Sequence, residues 1–316
     1  EKVLLMLKEL ESEVGKEHIG ITSSYVGQHT GLYSVSPIYL FMGGPHEAVI
    51  QVSLKDYHED MDQFKERMRK QLNRVIPEMK LSFEPIELTD KVLSQGSPTP
   101  VEIRISGKNK KLNEAYAGKI VAGLQQIAYM RDVQIAQPIK YPAFNINIDR
   151  TRAAQLGVDM NDISRSLIAA TSSSRYTDKN TWIDESSNLP YAVQVQVPLN
   201  QMNSVEDMEG IPVRRNSLRP VLGDVATITP GTTYGENDNL GAVPYVSVTA
   251  SLFEKDLGAA TKDVEKLIAS LGELPRGLFV ERIGLSTVLT ETLNSLQSGL
   301  IVAIVVVLLM LSANFQ

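Results

Sequence analysis

The stretch FNINIDRTRAAQLGVDMNDISRSL, residues 144–167, decides how the rest of the chain is read. Phe144, Ile146 and Ile148 alternate with Asn145, Asn147 and Asp149, the two-residue period of a strand with one buried face. At Asp149 the period changes. Its carboxylate can cap the orphan N–H groups of a helix opening at Arg150, and Gly157 supplies the left-handed residue that stops that helix within two turns. Asp159 can cap a second helix, on which Ile163 and Leu167 stand four apart on one face.

Upstream, residues 1–16 have the spacing of an amphipathic helix with Val3, Leu4, Leu7 and Leu10 on one stripe. That helix has no start signal, which points to a chain cut from something larger. Strands are expected over 19–26, 48–54 and 80–85. A helix over 60–76 presents Met61, Phe64, Met68 and Leu72 on one face and ends at Pro77. Helix, strand, strand, helix, strand is a β-α-β-β-α-β unit without its leading strand. After the polar linker SQGSPTP, residues 94–100, the pattern restarts with a strand at 101–106, a helix at 110–127 and a strand at 133–136. Its second half returns only as a strand at 245–252, a helix at 257–271 and a strand at 278–283. Between the halves lies an insertion headed by the opening stretch. It holds the alternating run YAVQVQV, residues 191–197, single turns at 207–209 and 222–225, and a hairpin over 211–221 folded at Arg215, Asn216 and Ser217. The fold class is therefore α+β, with one core per unit.

At 316 residues, 43% hydrophobic and 22% charged, the chain can bury two or three such cores. The net charge of −6, with no basic run, argues against nucleic-acid binding by counterion release. With no cysteine, thiolate nucleophiles, cysteine metal sites and disulfides are excluded. From Thr292 to Gln316 there is no charged residue, and LIVAIVVVLLML, residues 300–311, is unbroken apolar sequence. That matches the roughly 20 apolar residues a membrane helix needs, and its place at the end of the chain is not that of a signal peptide. No Ser–His–Asp order, phosphate-binding glycine loop or carboxylate pair stands out, so an enzyme reading has no chemistry to rest on. His18, His29, His46 and His58, with Glu47 and Glu59 nearby, lack the spacing of a zinc site; no metal or cofactor is expected. A membrane-anchored binding or sensor protein with two ferredoxin-like domains would also explain a single span. The helix without a leading strand argues against it.

The order of these elements resembles the second periplasmic loop of resistance–nodulation–division (RND) efflux transporters. There the motif I-D-x-x-x-A-x-x-L-G-V-x-x-x-D-I leads into the docking subdomain, and here it reads Ile148-Asp149, Ala153, Leu156-Gly157-Val158, Asp162-Ile163. The resemblance implies a first porter subdomain over 1–98, a second over 99–138 and 241–285, a docking subdomain over 139–240, and the start of a transmembrane helix over 295–316. It also implies a homotrimeric, proton-driven pump of the bacterial inner membrane, joined to a periplasmic adaptor and an outer-membrane channel. Residues up to about 295 would lie in the periplasm. In the heavy-metal branch of the family, methionines pass a soft ion through the porter domain. Two of those positions match Glu47 and Val92 here, which favours the multidrug branch, with small hydrophobic or amphiphilic substrates. The resemblance places a switch loop at residues 27–44, rich in glycine (Gly27, Gly31, Gly43, Gly44) and in adaptable apolar groups (Tyr33, Tyr39, Phe41, Met42). It places a docking contact at the hairpin tip Arg214, Arg215, Asn216 and Ser217.

Overall fold

The computed structural model describes residues 2–27, 46–84, 94, 97, 99–177 and 180–315. By contact density they form two compact units, residues 1–139 with 234–316 and residues 140–233.

In the first unit, helix α1 (Lys2–Val14) precedes the antiparallel pair β1 (Ile19–Val26) and β2 (Ala48–Leu54), followed by α2 (Met61–Val75). Asp60 starts α2 by accepting from the N–H groups of Asp62 and Gln63. Val14, Phe64, Met68 and Leu72 form the buried centre, with Leu10, Tyr57 and Leu81 packed against it. Two expected core residues lie outside it, since Leu4 is 63% exposed and Met61 is 44% exposed. Residues 80–84 form no strand. In a β-α-β-β-α-β sheet the last strand pairs with the first, and the described residues hold no strand ahead of α1 to supply that ladder.

The same unit continues with β3 (Val101–Gly107), α3 (Lys110–Leu124) and β4 (Met130–Ile135). The chain then leaves for the second unit, which begins with β5 (Tyr141–Ile148), α4 (Arg150–Gln155) and α5 (Met160–Thr171). The sequence reading of this stretch holds in detail. Asp149 accepts from the N–H groups of Thr151 and Arg152, each at 3.0 Å, and Asp159 accepts from that of Asn161 at 2.9 Å. Gly157 has φ +67°, and Ile163 is 1% exposed. Phe144 is the exception: it is 49% exposed, whereas Ile146 and Ile148 pack on the core.

A ribbon of β6 (Asn180–Ile183) and β7 (Pro190–Val193) follows, then the short helices α6 (Val205–Glu209) and α7 (Leu222–Val225). The alternating run 191–197 is a strand only as far as Val193. On the ribbon Trp182 sits opposite Tyr191 with ring centroids 5.8 Å apart, and both are exposed. Strand β8 (Ala226–Thr233), which the sequence pattern did not reveal, pairs along all eight residues of β5. Pro230 and Gly231 interrupt its periodicity, but it is an edge strand, where proline costs no ladder bond.

Back in the first unit come β9 (Asp238–Leu240), β10 (Val243–Leu252), α8 (Leu257–Ser270), β11 (Leu278–Ile283) and α9 (Leu285–Asn314). The sheet order β11–β3–β10–β4, antiparallel throughout, is that of a ferredoxin-like unit. The chain leaves this unit after its second strand and returns before its third. Val101, Ile103, Ile105, Val248 and Ala250 face Tyr116, Ala117, Ile120, Leu124, Ala260 and Val264 of α3 and α8. The two helices pack closely at Gly123, where a Cβ would lie 2.5 Å from Leu267 Cδ1. Within α9, residues 290–314 have a mean hydropathy of 2.5 and none of that window is buried, so length and composition suit a membrane crossing.

Candidate functional site: a buried polar sheet face and an ion-pair seam

Strands β3 and β10 alternate, so their second face carries Glu102, Arg104, Tyr245, Ser247, Thr249 and Ser251. A period-2 reading would leave this face in water. In the structure it is buried: Glu102 is 6% exposed, Ser247 and Thr249 are 3% and Ser251 is 5%. Burial of polar groups demands partners, and most are supplied. Ser247 Oγ donates to Glu102 Oε1 at 2.7 Å, and the Ser247 N–H donates to Gln137 Oε1 at 2.9 Å. Arg104 lies 3.5 Å from Glu102 and covers the Tyr245 ring, with 4.5 Å from Cζ to the centroid. Burial, followed by the charge of Asp238, holds the Tyr245 phenol above its ordinary range. Among the described residues, buried Ser251 Oγ and Arg104 Nε find no hydrogen-bond partner.

A second polar cluster joins α2 to β4. Arg69, only 7% exposed, grips Asp132 with two parallel bonds, Nε to Oδ1 at 2.9 Å and the second guanidinium nitrogen to Oδ2 at 2.8 Å. Its guanidinium also lies 4.9 Å from the Phe83 ring centroid. Beside it, Arg131 Nε donates to Glu66 Oε2 at 2.9 Å. Burial pushes the Glu66 carboxyl up, but that hydrogen bond and the charges of Arg131, Arg69 and Lys70 outweigh it, so the net shift is downward. Asp132 holds φ +54°, a left-handed conformation that aspartate tolerates better than most residues. Neither cluster was expected from the sequence. Arg69 sits one position from Met68 on the apolar face of its helix, the only local hint.

Of the expected switch loop, only Gly27 is described: it has φ +79° and its N–H donates to the Glu47 carbonyl at 2.9 Å. Gly31, Tyr33, Tyr39, Phe41, Met42, Gly43 and Gly44 lie outside the described residues, as do His29 and Val92. The expected docking tip is a turn closed by a bridge between Pro212 and Val221, with Asn216 at φ +56°. Arg215 Nε reaches Asp162 Oδ1 at 3.1 Å, and Ser217 Oγ donates to the Arg219 carbonyl at 2.6 Å. Leu218, just past the tip, is 83% exposed. Histidines scatter: His18 Nδ1 stands 3.0 Å from the Lys55 carbonyl oxygen, and His46 Nε2 stands 3.3 Å from Glu47 Oε1. Among the described residues no group of three histidine, aspartate or glutamate side chains is arranged to hold a metal ion.

Residues 21–316 match the model of the AcrB/AcrD/AcrF family. The chain belongs to that family. The RND resemblance read from the motif order is therefore established at family level. The chain is 25% identical over 238 residues to the cobalt-zinc-cadmium resistance protein CzcA of Cupriavidus metallidurans, covering 74% of this chain and 22% of that protein. It is 23% identical over 209 residues to the nickel and cobalt resistance protein CnrA of the same organism, covering 63% of this chain and 18% of that protein. A heavy metal efflux pump solved in two crystal forms superposes with TM-scores of 0.72 and 0.69 at 19% identity, covering 97% of this chain and 31% of that one in the first form. The superposition shows the fold. These relatives are named for metal resistance, so the preference for the multidrug branch finds no support among them.

Proposed function

We propose that this chain is the periplasmic substrate-conducting and docking portion of an RND efflux pump of the bacterial inner membrane, and that its substrates are divalent metal cations of borderline softness. The substrate class rests on the likeness to CzcA and CnrA, which are named for resistance to cobalt, zinc, cadmium and nickel. Glu47 and Val92 at positions matched to methionine then count against soft, thioether-seeking ions only. Cobalt, nickel and zinc accept oxygen and nitrogen ligands, so lacking those methionines does not disqualify them.

Within this reading, residues 1–98 and residues 99–138 with 241–285 are porter subdomains, 139–240 dock onto partners, and the helix from about residue 295 enters the membrane. The pump is a trimer that meets its adaptor or channel through the tip at Arg214–Ser217. It is a transporter and not an enzyme. The test is a pump-deficient strain expressing the complete transporter that contains this chain. Raised tolerance to cobalt, nickel or zinc, with no change toward hydrophobic antibiotics, is the expected result. Raised tolerance to hydrophobic compounds alone would return the substrate to the class suggested by Tyr33, Tyr39, Phe41 and Met42. No change toward either would overturn the assignment.

A further inference from the structure

Helix α2 meets the sheet of the second ferredoxin-like half along one stripe. Gln63, Glu66 and Arg69 stand three apart on α2, beside the apolar stripe of Phe64, Met68 and Leu72. Gln63 Nε2 donates to Glu254 Oε1, Glu66 accepts from Arg131, and Arg69 grips Asp132. These contacts run from solvent inward. Gln63 and Glu254 are exposed, the Glu66 and Arg131 side chains are 16% and 25% exposed, and those of Arg69 and Asp132 are 9% and 6%. An acidic residue in left-handed backbone meets each end of the stripe, Glu254 at φ +48° and Asp132 at φ +54°. The ladder is bent to suit. Thr249 pairs with Gln134 and Ser251 with Arg131, so two steps on β10 span three on β4. That extra residue is a β-bulge, a device that re-aims a side chain, and Asp132 lies within it.

The apolar cores make no such bridge. Among the described residues, the cluster around Phe64 and the cluster around Ile103 share no member, either at the centre or packed against it. A polar seam can exchange its bonds for bonds to water when it opens, which a shared apolar core cannot do. The covalent joint between the halves is the segment ahead of β3. There Ser94 Oγ donates to the Ser97 carbonyl, Ser97 Oγ to that of Thr99 and Thr99 Oγ1 to that of Val101, each at 2.9 Å. Val101 pairs with Ala250 and Arg131 with Ser251, so joint and seam lie at one end of the sheet, on opposite sides of β10. Two strand spacings, about 10 Å, separate them.

We propose that this seam is a reversible latch between the two halves, with the bonded segment at Ser94–Val101 as its pivot. Release starts at the exposed Gln63–Glu254 contact, passes Glu66–Arg131 and ends with Arg69–Asp132. Helix α2 then swings away from β4 and carries its own core with it. Left-handed backbone is unfavourable for a residue with a side chain, and opening frees Asp132 and Glu254 from it. That relief offsets part of the lost bonding, so the closed and open arrangements lie close enough for their balance to be shifted. The latch works in the same way whichever substrate is moved.

The chain has no cysteine, so spin labels can be placed cleanly. Asn73→Cys on α2 and Lys119→Cys on α3, both at exposed positions, report across the seam. Lys119→Cys with Lys262→Cys on α8 reports within the second half. Distances are measured by double electron–electron resonance on the full chain in detergent micelles. Asp132→Gly removes the carboxylate and keeps the left-handed backbone without steric cost. It and Arg69→Ala are each expected to raise the ratio of long to short 73–119 distances by at least about tenfold, as losing a charge-assisted hydrogen bond should. The 119–262 distance should not move. A 73–119 distribution identical in parent and variants would overturn the latch, as would a 119–262 distribution that broadens in step. If both variants fail to fold, the parent decides through salt, which weakens paired charges. A long-distance population that grows toward about 1 M salt supports release, and an unchanged distribution overturns it.

Discussion

Removing Arg69 is the sharpest test of how the first unit is held together. The guanidinium makes two charge-assisted hydrogen bonds to Asp132, each worth about 1.5–3 kcal/mol in a buried setting. Arg69→Ala deletes both and strands a carboxylate whose side chain is 6% exposed. Breaking a buried pair from one side costs about 3–5 kcal/mol. The change also removes a longer contact of Arg69 with Glu66 at 3.4 Å, a smaller loss because Glu66 keeps Arg131 at 2.9 Å. For a unit of this size such a change lowers the unfolding midpoint by roughly 6–20 °C. The double variant Arg69→Met with Asp132→Leu removes both charges and is expected to recover most of the loss, since a packed apolar pair can replace a buried ion pair. Asp132→Asn, which keeps the left-handed backbone, should fall between. The single tryptophan, Trp182, lies in the other unit, so its fluorescence provides an internal control. Far-ultraviolet circular dichroism should report an earlier transition, and Trp182 emission should not. If Arg69→Ala costs less than about 0.5 kcal/mol, as a surface change would, the seam contributes little. A double variant as unstable as the single would show that the seam's value lies outside the pair.

Two smaller outcomes are expected. Asp159→Ala removes the cap that starts α5 and should lower the Trp182 transition by about 1 kcal/mol while sparing the first unit. Reversing the charge of Arg214 and Arg215 together should weaken capture of the complete pump by its adaptor or channel. The isolated chain should lose less than about 1 kcal/mol, because Arg215 and its Asp162 contact are exposed; unchanged capture would make this tip a solvated turn.

Local signals account for what could be read without coordinates. Asp60, Asp149, Asp159 and Asp256 each precede a helix that they cap in the structure. The alternation in residues 19–26, 48–54 and 278–283 gave those strands to the residue, because a side-chain period of two depends only on neighbours along the chain. The same reading missed β8, whose Pro230 and Gly231 break the period, and it named no partner for Glu102, Arg104 or Ser247. The three- and four-residue helical spacing of α2 placed Phe64, Met68 and Leu72 correctly and Met61 wrongly, since the edge of a stripe is buried only if something packs over it.

The sequence by itself determined the helices and their caps, most strands, the interrupted β-α-β-β-α-β order and the apolar run at residues 300–311. Each of these depends on residues within a few positions of one another. Only the tertiary structure decided that β3 lies between β10 and β11, that Arg69 meets Asp132, and that Gln137 orients Asp238. Those contacts join residues 63 and 101 positions apart. Their energy comes from excluding water around paired polar groups, and no periodicity along the chain records which groups will be brought together.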